Sequence, residues 1–248
     1  IIFKIVKAFS LDSFNYEIVI FYFSIVTSAF LVEMIFVGWD KSSLKRAIQF
    51  DKTIRTDFIC WFLEVFNLNK IIGFLLSFGV CYYLVGLIQK SLDLQLILNI
   101  ENYYLQFAII FIIGDLKNYF RHLVFHKITP LWKLHEFHHS ATSMSILTRY
   151  RGHFLETSVS TFFDVIPLII LGIPIQTFLA VKIFTEMHQV LIHSSIKSNW
   201  GFVGNYILVS PAAHRIHHSV KSKHYQKNFG STLIIWDRLF GTYHSYEK

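Results

Sequence analysis

The chain carries His135-Glu136-Phe137-His138-His139 and repeats the pattern as His214-Arg215-Ile216-His217-His218. Histidines at i, i+3 and i+4 share one face of a helix, so each copy is expected to present three imidazoles in a patch small enough to hold a metal. His122 and His126, at i and i+4, add two more on one helical face, and His193 stands between the triplets. Nine candidate ligands exceed what one ion takes, since a structural zinc uses about four protein ligands and a catalytic zinc about three. They point to a dinuclear site with open positions on an all-α framework. His188 lies about 140° from His193 on an ideal helix and ranks only as a tenth ligand in reserve, whereas Gln189 shares the face of His193 and is expected to support the site. His153, His224 and His244 have no partner at ligand spacing and read as surface or supporting residues.

Composition says where such a site sits. The chain is 53% hydrophobic and 17% aromatic, with a mean hydropathy of +0.45. Those values exceed an average soluble domain and make an integral membrane protein the leading class. The strongest span is Ile71 to Ile88, free of charge and bracketed by Lys70 and Lys90. Tyr16 to Gly38 is a second span, with Glu17 and Glu33 near its ends at the interface, and a third runs from Tyr103 toward His122. Thr157 to Ile192 is apolar but broken by Pro167, Gly172 and Pro174, and reads as a helical hairpin dipping into or crossing the bilayer. Phe58 to Phe66 is too short to span and is expected to lie in the interface.

Lys41, Lys45, Arg46, Lys52 and Arg55 crowd the loop between the first two spans, so by the positive-inside rule that loop is cytoplasmic. Counting crossings brings all nine histidines to the cytosolic membrane face of a multi-pass protein with four or five hydrophobic helices. The expected organisation is a single domain over 1–248, with 1–114 mainly membrane helices and 115–243 a histidine-rich cap holding the dinuclear site. The net charge of +7 suits anionic headgroups and requires no nucleic acid. Cys60 and Cys81 form neither a disulfide framework nor a metal motif. The chain begins at Ile1, which reads as a trimmed start, and carries no cleavable signal pattern.

Asp115, Tyr119, His122 and His126 fall on a narrow helical stripe, which makes Asp115 a candidate to accept the far N–H of a ligating imidazole and fix its tautomer. The alternative for Asp115 is an ion pair with Lys117 or Arg121. Residues 135–139 also satisfy His-Glu-x-x-His, in which His135 and His139 would bind zinc and Glu136 would act as base for peptide hydrolysis. A membrane zinc peptidase of that kind leaves His122, His126 and most of the second triplet unexplained. A metal or haem transporter is the third reading, and it calls for polar residues along several spans, which 71–88 lacks.

In this order, His122-x-x-x-His126, His135-x-x-His138-His139, His193 and His214-x-x-His217-His218, the chain resembles the fatty acid hydroxylase/sterol desaturase superfamily of membrane di-iron enzymes. Asp115 through Tyr119 to His122 is similar to that family's lead-in, Arg151-Gly152-His153-Phe154-Leu155-Glu156 to a segment after its second box, and Asn228-Phe229-Gly230 through Ile235-Trp236-Asp237-Arg238-Leu239-Phe240-Gly241-Thr242 to its closing signature. The resemblance covers about Asp115 to Tyr243 and is nearest to the branch of bacterial sterol-desaturase-like proteins and alkylglycerol monooxygenase. Leu123 stands where many relatives carry Arg, and Phe154 where many carry Pro.

The resemblance implies O2-dependent oxidation of an unactivated C–H bond in a sterol, fatty acyl or ether lipid, by hydroxylation, desaturation or ether cleavage. The nine histidines would then hold two iron ions, with Asp237 of the closing signature supporting them. Zinc cannot change oxidation state, yet it outcompetes ferrous iron at nitrogen sites and can replace it on purification. No Gly-x-Gly-x-x-Gly fingerprint or fused haem domain is present, so electrons are expected from a separate reductase, cytochrome b5 or ferredoxin, or from a reduced pterin.

Overall fold

Apolar residues run almost without interruption through Tyr16–Val37, and they form the 22-residue helix α1. The computed structural model describes residues 16–66, 87 and 100–246. Among them every extended element is a helix, and the β pairing amounts to one isolated bridge between Leu208 and Leu233. Short α2 (Ser43–Ile48) starts where the Ser42 side chain accepts from Lys45 N, and α3 (Lys52–Val65) where Asp51 accepts from Thr53 N. Asn102 caps the long α4 (Tyr103–Lys127) in the same way. Each side chain satisfies a helix-end N–H that has no intrahelical partner.

The site-bearing half follows in short pieces. Helix α5 (Thr129–His139) accommodates Pro130 in its first turn, where the missing N–H costs nothing. A 3-10 turn at Ile146–Tyr150 leads to α6 (Phe154–Ile170) and α7 (Ile175–Ile192), joined across 171–174. Helices α8 (Gly201–Tyr206), α9 (Pro211–His217) and α10 (Ile235–Leu239) complete the order. Ser210 caps α9, with Pro211 opening its first turn.

Among the described residues one helix, Val19–Val37 within α1, is long and apolar enough to cross a membrane. The expected span 71–88 lies outside the described residues apart from Leu87. The hairpin over 157–192 forms as two helices, its break set by Gly172 and Pro174. The third expected span is α4, which continues beyond His122 to Lys127 and carries Asp115, Lys117 and Arg121 within it.

Phe58 to Phe66 runs through the last part of α3 to its C-cap, and the helix buries Ile54, Cys60, Trp61 and Val65 while Phe58, Ile59 and Phe62 stay exposed. Trp61 and Val65 share a core with Tyr22, Ile25, Val26 and Ala29 of α1, Ile146, Leu147 and Tyr150 of the 3-10 turn, and Val190 of α7. Glu33 does not reach an interface but is fully buried, accepting from Ser43 N at 2.6 Å, Ser43 Oγ at 2.8 Å and Ser195 N. Its carboxylate thus ties α1 to the start of α2 and to the loop after α7.

A second buried acid joins α3 to the segment following the first triplet. Asp57 accepts from Arg151 Nε at 2.5 Å, Thr148 Oγ1 at 2.7 Å and Ser145 Oγ at 3.0 Å. Arg151 also donates to the carbonyl of Thr53 at 2.8 Å. The pair holds residues 145–151 against α3 with nearly every polar atom engaged, the condition for burying charge.

Candidate metal centre

Four elements bring the nine histidines together, and they divide into two groups. His122, His126, His135, His139 and His217 form one, and His138, His193, His214 and His218 the other, with the candidate ligand nitrogens of each group within 4.8 Å of one another. The groups abut, since the rings of His139 and His218 stack with centroids 4.3 Å apart. Each triplet was expected to serve a single patch, and the structure corrects that. The i, i+4 pair of α5, His135 and His139, enters the five-histidine group while His138 crosses to the other; His214 and His218 enter the four-histidine group while His217 crosses back. On a helix i and i+4 are about 40° apart, whereas i+3 lies about 60° to the other side of i, so one face reaches both pockets.

The donor geometry fits metal ions. His214 Nε2 lies 2.9 Å from His193 Nε2 and 3.2 Å from His218 Nε2, and His193 Nε2 lies 3.3 Å from His138 Nε2. Two nitrogens each about 2.1 Å from a shared ion, at angles between square and tetrahedral, lie about 3.0–3.4 Å apart. In the five-histidine group, Nε2 of His126, His135, His139 and His217 is buried and has no hydrogen-bond partner. Orphaned buried nitrogens aimed into one pocket are what an ion would satisfy.

The opposite ring nitrogens fix the tautomers. Nδ1 of His122 donates to the Phe229 carbonyl at 2.9 Å, that of His138 to Arg151 at 3.1 Å, that of His193 to Gln189 at 2.7 Å, and that of His217 to Lys227 at 2.9 Å. A carbonyl only accepts, so each Nδ1 carries the proton and each Nε2 keeps its lone pair. His135 Nδ1 meets a carboxylate instead, Glu156 Oε1 at 2.7 Å. Burial holds His138, His139, His214 and His218 well below the usual histidine pKa and pushes His193 and His217 down to about 3. All are neutral at pH 7, the form that binds metal.

The supporting residues sit differently from the sequence expectation. Asp115 touches neither an imidazole nor Lys117 or Arg121: it accepts from Thr232 N, Leu233 N and Trp236 Nε1, each at 2.9 Å. The helical stripe is real, but it faces the closing segment. Asp237 accepts from Phe229 N at 2.6 Å, Gly230 N at 2.8 Å and Thr242 Oγ1 at 2.7 Å, while burial lifts its pKa to about 6. It therefore acts through the backbone that presents the Phe229 carbonyl. Gly230 is required there, because an added Cβ would lie 2.8 Å from Asp237 Oδ2 and 2.7 Å from the Leu233 carbonyl. The backbone oxygen of Gln189 accepts from His193 Nδ1, while its side chain reaches no imidazole and donates to the Ser231 carbonyl.

His188 is buried beside Trp200 and joins neither group. His153, His224 and His244 also stay outside both. Glu136, the base that a His-Glu-x-x-His peptidase would use, is half-exposed, pairs with Lys133 at 3.2 Å and lies outside both histidine groups. The residues missed from sequence are Glu156, quoted in a motif but given no role, and the carbonyls of Arg151, Lys227 and Phe229.

The model of the fatty acid hydroxylase family matches residues 107–242, a stretch that includes all nine histidines. The chain belongs to the fatty acid hydroxylase family. Its curated relatives include an ornithine lipid hydroxylase of Rhizobium tropici, 32% identical over 134 residues, 54% of this chain and 40% of that protein. The alkylglycerol monooxygenase of Homo sapiens is 31% identical over 178 residues, 68% of this chain and 39% of the relative. A Delta(7)-sterol-C5(6)-desaturase of Nicotiana tabacum is 26% identical over 145 residues, 57% of this chain and 50% of that protein. The chain thus spans about two fifths of the first and second of these relatives and half of the third. No solved structure matches it. The family's histidine pattern is the part of this chain that the fold concentrates into the two pockets.

Proposed function

We propose that the chain is a membrane-embedded oxidoreductase that uses two iron ions and O2 to oxidise an unactivated C–H bond of a sterol, fatty acyl or ether lipid. The observation that carries this reading is the convergence of nine histidines into adjacent pockets of five and four. An all-nitrogen donor set accepts ferrous iron, and iron, unlike zinc, supplies the redox change that O2 chemistry needs. The chain's own contribution is to orient the rings of His122, His135, His138, His193 and His217 through their Nδ1 partners and to gather the nine imidazoles into two adjacent pockets. The lipid tail would reach the pockets from the bilayer, with the site at the cytosolic face. Electrons would come from a separate electron-transfer protein or a reduced pterin.

The deciding experiment is metal analysis with Mössbauer spectroscopy on protein expressed with iron-57 and purified gently in detergent. Two irons per chain with an exchange-coupled signal support the reading, and lipidomics of an expressing host then identifies the substrate. One zinc and no iron, even after anaerobic ferrous reconstitution, overturns it.

A further inference from the structure

Four of the five oriented imidazoles lean on neutral backbone carbonyls, and His135 alone leans on a charged side chain. Its partner Glu156 sits in the first turn of α6 with its side chain 18% exposed. Glu156 Oε1 accepts from His135 Nδ1 at 2.7 Å, while Oε2 is buried and has no hydrogen-bond partner. No lysine or arginine forms an ion pair with it among the described residues. A buried carboxylate satisfied on one oxygen is costly unless a positive charge stands nearby. The group it touches is a histidine whose Nε2, also buried and unpartnered, points among the five-histidine nitrogens. The compensating charge that this geometry prepares for is a cation on the far side of His135.

In the four-histidine pocket the oriented imidazoles, His138 and His193, lean on backbone carbonyls and not on a carboxylate. The charged side chains that act on His193 are guanidiniums: Arg149, paired with Glu186 at 2.8 Å, and Arg215, which donates to the carbonyl of Ser194 at 2.8 Å. The five-histidine pocket thus offers one more nitrogen than the four-histidine pocket and has a carboxylate behind one of its imidazoles, whereas the guanidinium of Arg149 near the other pocket is already paired with an acid. A carboxylate behind a ligating imidazole also raises its basicity as a donor.

We propose that Glu156 is a positioning residue that, through His135, makes the five-histidine pocket the tighter of two unequal metal sites. This rests on the reading that the histidines hold two irons. The two pockets then fill in order, and the asymmetry lies in the protein before any substrate binds.

The test is iron-57 Mössbauer spectroscopy on full-length protein in detergent, loaded anaerobically with ferrous iron. Wild-type protein given one equivalent should show one quadrupole doublet and, given two, a second of equal area. The doublet that fills first should be absent in His126→Ala and present in His214→Ala. In Glu156→Gln, which keeps an acceptor but removes the charge, uptake at that first site should weaken by about 10–100-fold, with the other doublet unmoved. Random filling of both sites in the wild type, or a Glu156→Gln protein with wild-type uptake and both doublets unchanged, overturns the proposal. The wild-type filling order decides the matter even where the variant fails to fold. A wild type that takes up no iron pair sinks the functional reading itself, and shows this before any variant is made.

Discussion

His217 belongs to the second triplet yet completes the pocket of the first, and His138 does the reverse. Each is therefore a bridge between helices as well as a donor. His138→Ala leaves three nitrogens in its pocket and His217→Ala leaves four; either variant should lose at least one of two irons and its turnover. His244→Ala should retain both metals, because Asn228 holds the His244 backbone N–H and carbonyl, not its ring. Metal content of the three purified proteins checks this, and equal loading in all three would dismantle the ligand assignment. Protonation gives a second handle. His193 and His217 have folded pKa values of about 3 against about 6.5 when unfolded, so in metal-free protein the unfolded state binds more protons between those values. Stability should thus fall as pH drops below 6.5, by about 1.4 kcal/mol per pH unit for each histidine, until the folded pKa is reached. Thermal melts of the metal-free protein from pH 7 to 5 measure it; a flat profile would show that these rings are not buried as neutral groups. The nine histidines were legible because ligand spacing on a helix is a residue-type pattern. Their division between pockets was not, since i, i+3 and i+4 define a face and one face serves both. Asp115 was misread for a related reason: the stripe fixes which way it points, while the element covering it comes from more than a hundred residues later in the chain.

Helix α3 shows how elements distant from the histidines set their geometry. Its Asp57 binds Arg151, and the Arg151 carbonyl holds His138 Nδ1, so α3 reaches the four-histidine pocket in two steps. Replacing Asp57 with Ala leaves a buried guanidinium without its counter-ion, a change that costs about 3–5 kcal/mol when such pairs are broken. Asp51→Ala removes the exposed cap of the same helix, worth about 1 kcal/mol, and a long, partly exposed ion pair with Arg46 that adds little. Denaturant or thermal unfolding in detergent should rank the two accordingly, and Asp57→Ala alone should weaken iron uptake at the His138 pocket. Equal effects would mean that Arg151 finds another partner and that the two-step connection carries no strain to the site. Elements with a strong local signature were readable from sequence: the apolar run of α1, and the α6–α7 hairpin broken at Gly172 and Pro174. Helix α3 was half hidden because its polar first turn, with Lys52, Thr53 and Arg55, masks the buried stripe of Ile54, Trp61 and Val65. Helices α8 and α10, of six and five residues, have no period long enough to recognise and are held by tertiary contacts, such as Arg238 Nε donating to the Asn205 carbonyl at 2.5 Å.

Across the whole molecule, apolar side chains face outward on the long helices while polar nitrogens converge inside. Ile35 and Phe36 of α1, Tyr104 of α4 and Met187 of α7 are exposed, a surface suited to hydrocarbon and the reason unfolding must be followed in detergent. The interior is the unusual part: Nε2 atoms of His126, His135, His139 and His217 are buried with no partner, each a loss relative to water unless an ion takes it up. Their owners lie on α4, α5 and α9, and His193 adds the end of α7, so ions in the two pockets would clamp four elements, of which α4 already packs against α5 and α7, and α7 against α9. An ion present at 100 times its dissociation constant stabilises the folded state by about 2.7 kcal/mol, and two independent ions by about twice that. Stripping metal with a chelator should therefore lower the melting temperature substantially. Adding back either zinc or ferrous iron should restore it, because stability asks only for nitrogen ligation of a divalent ion. Lipid oxidation should return with iron alone, since zinc cannot cycle between oxidation states. Measuring melting temperature and lipid product on the same four samples, native, stripped, zinc-loaded and iron-loaded, separates the structural duty of the pockets from the chemical one. A melting temperature indifferent to metal would mean that the clamp is not what holds these helices together, whereas activity recovered with zinc would mean that the chemistry is not oxidation.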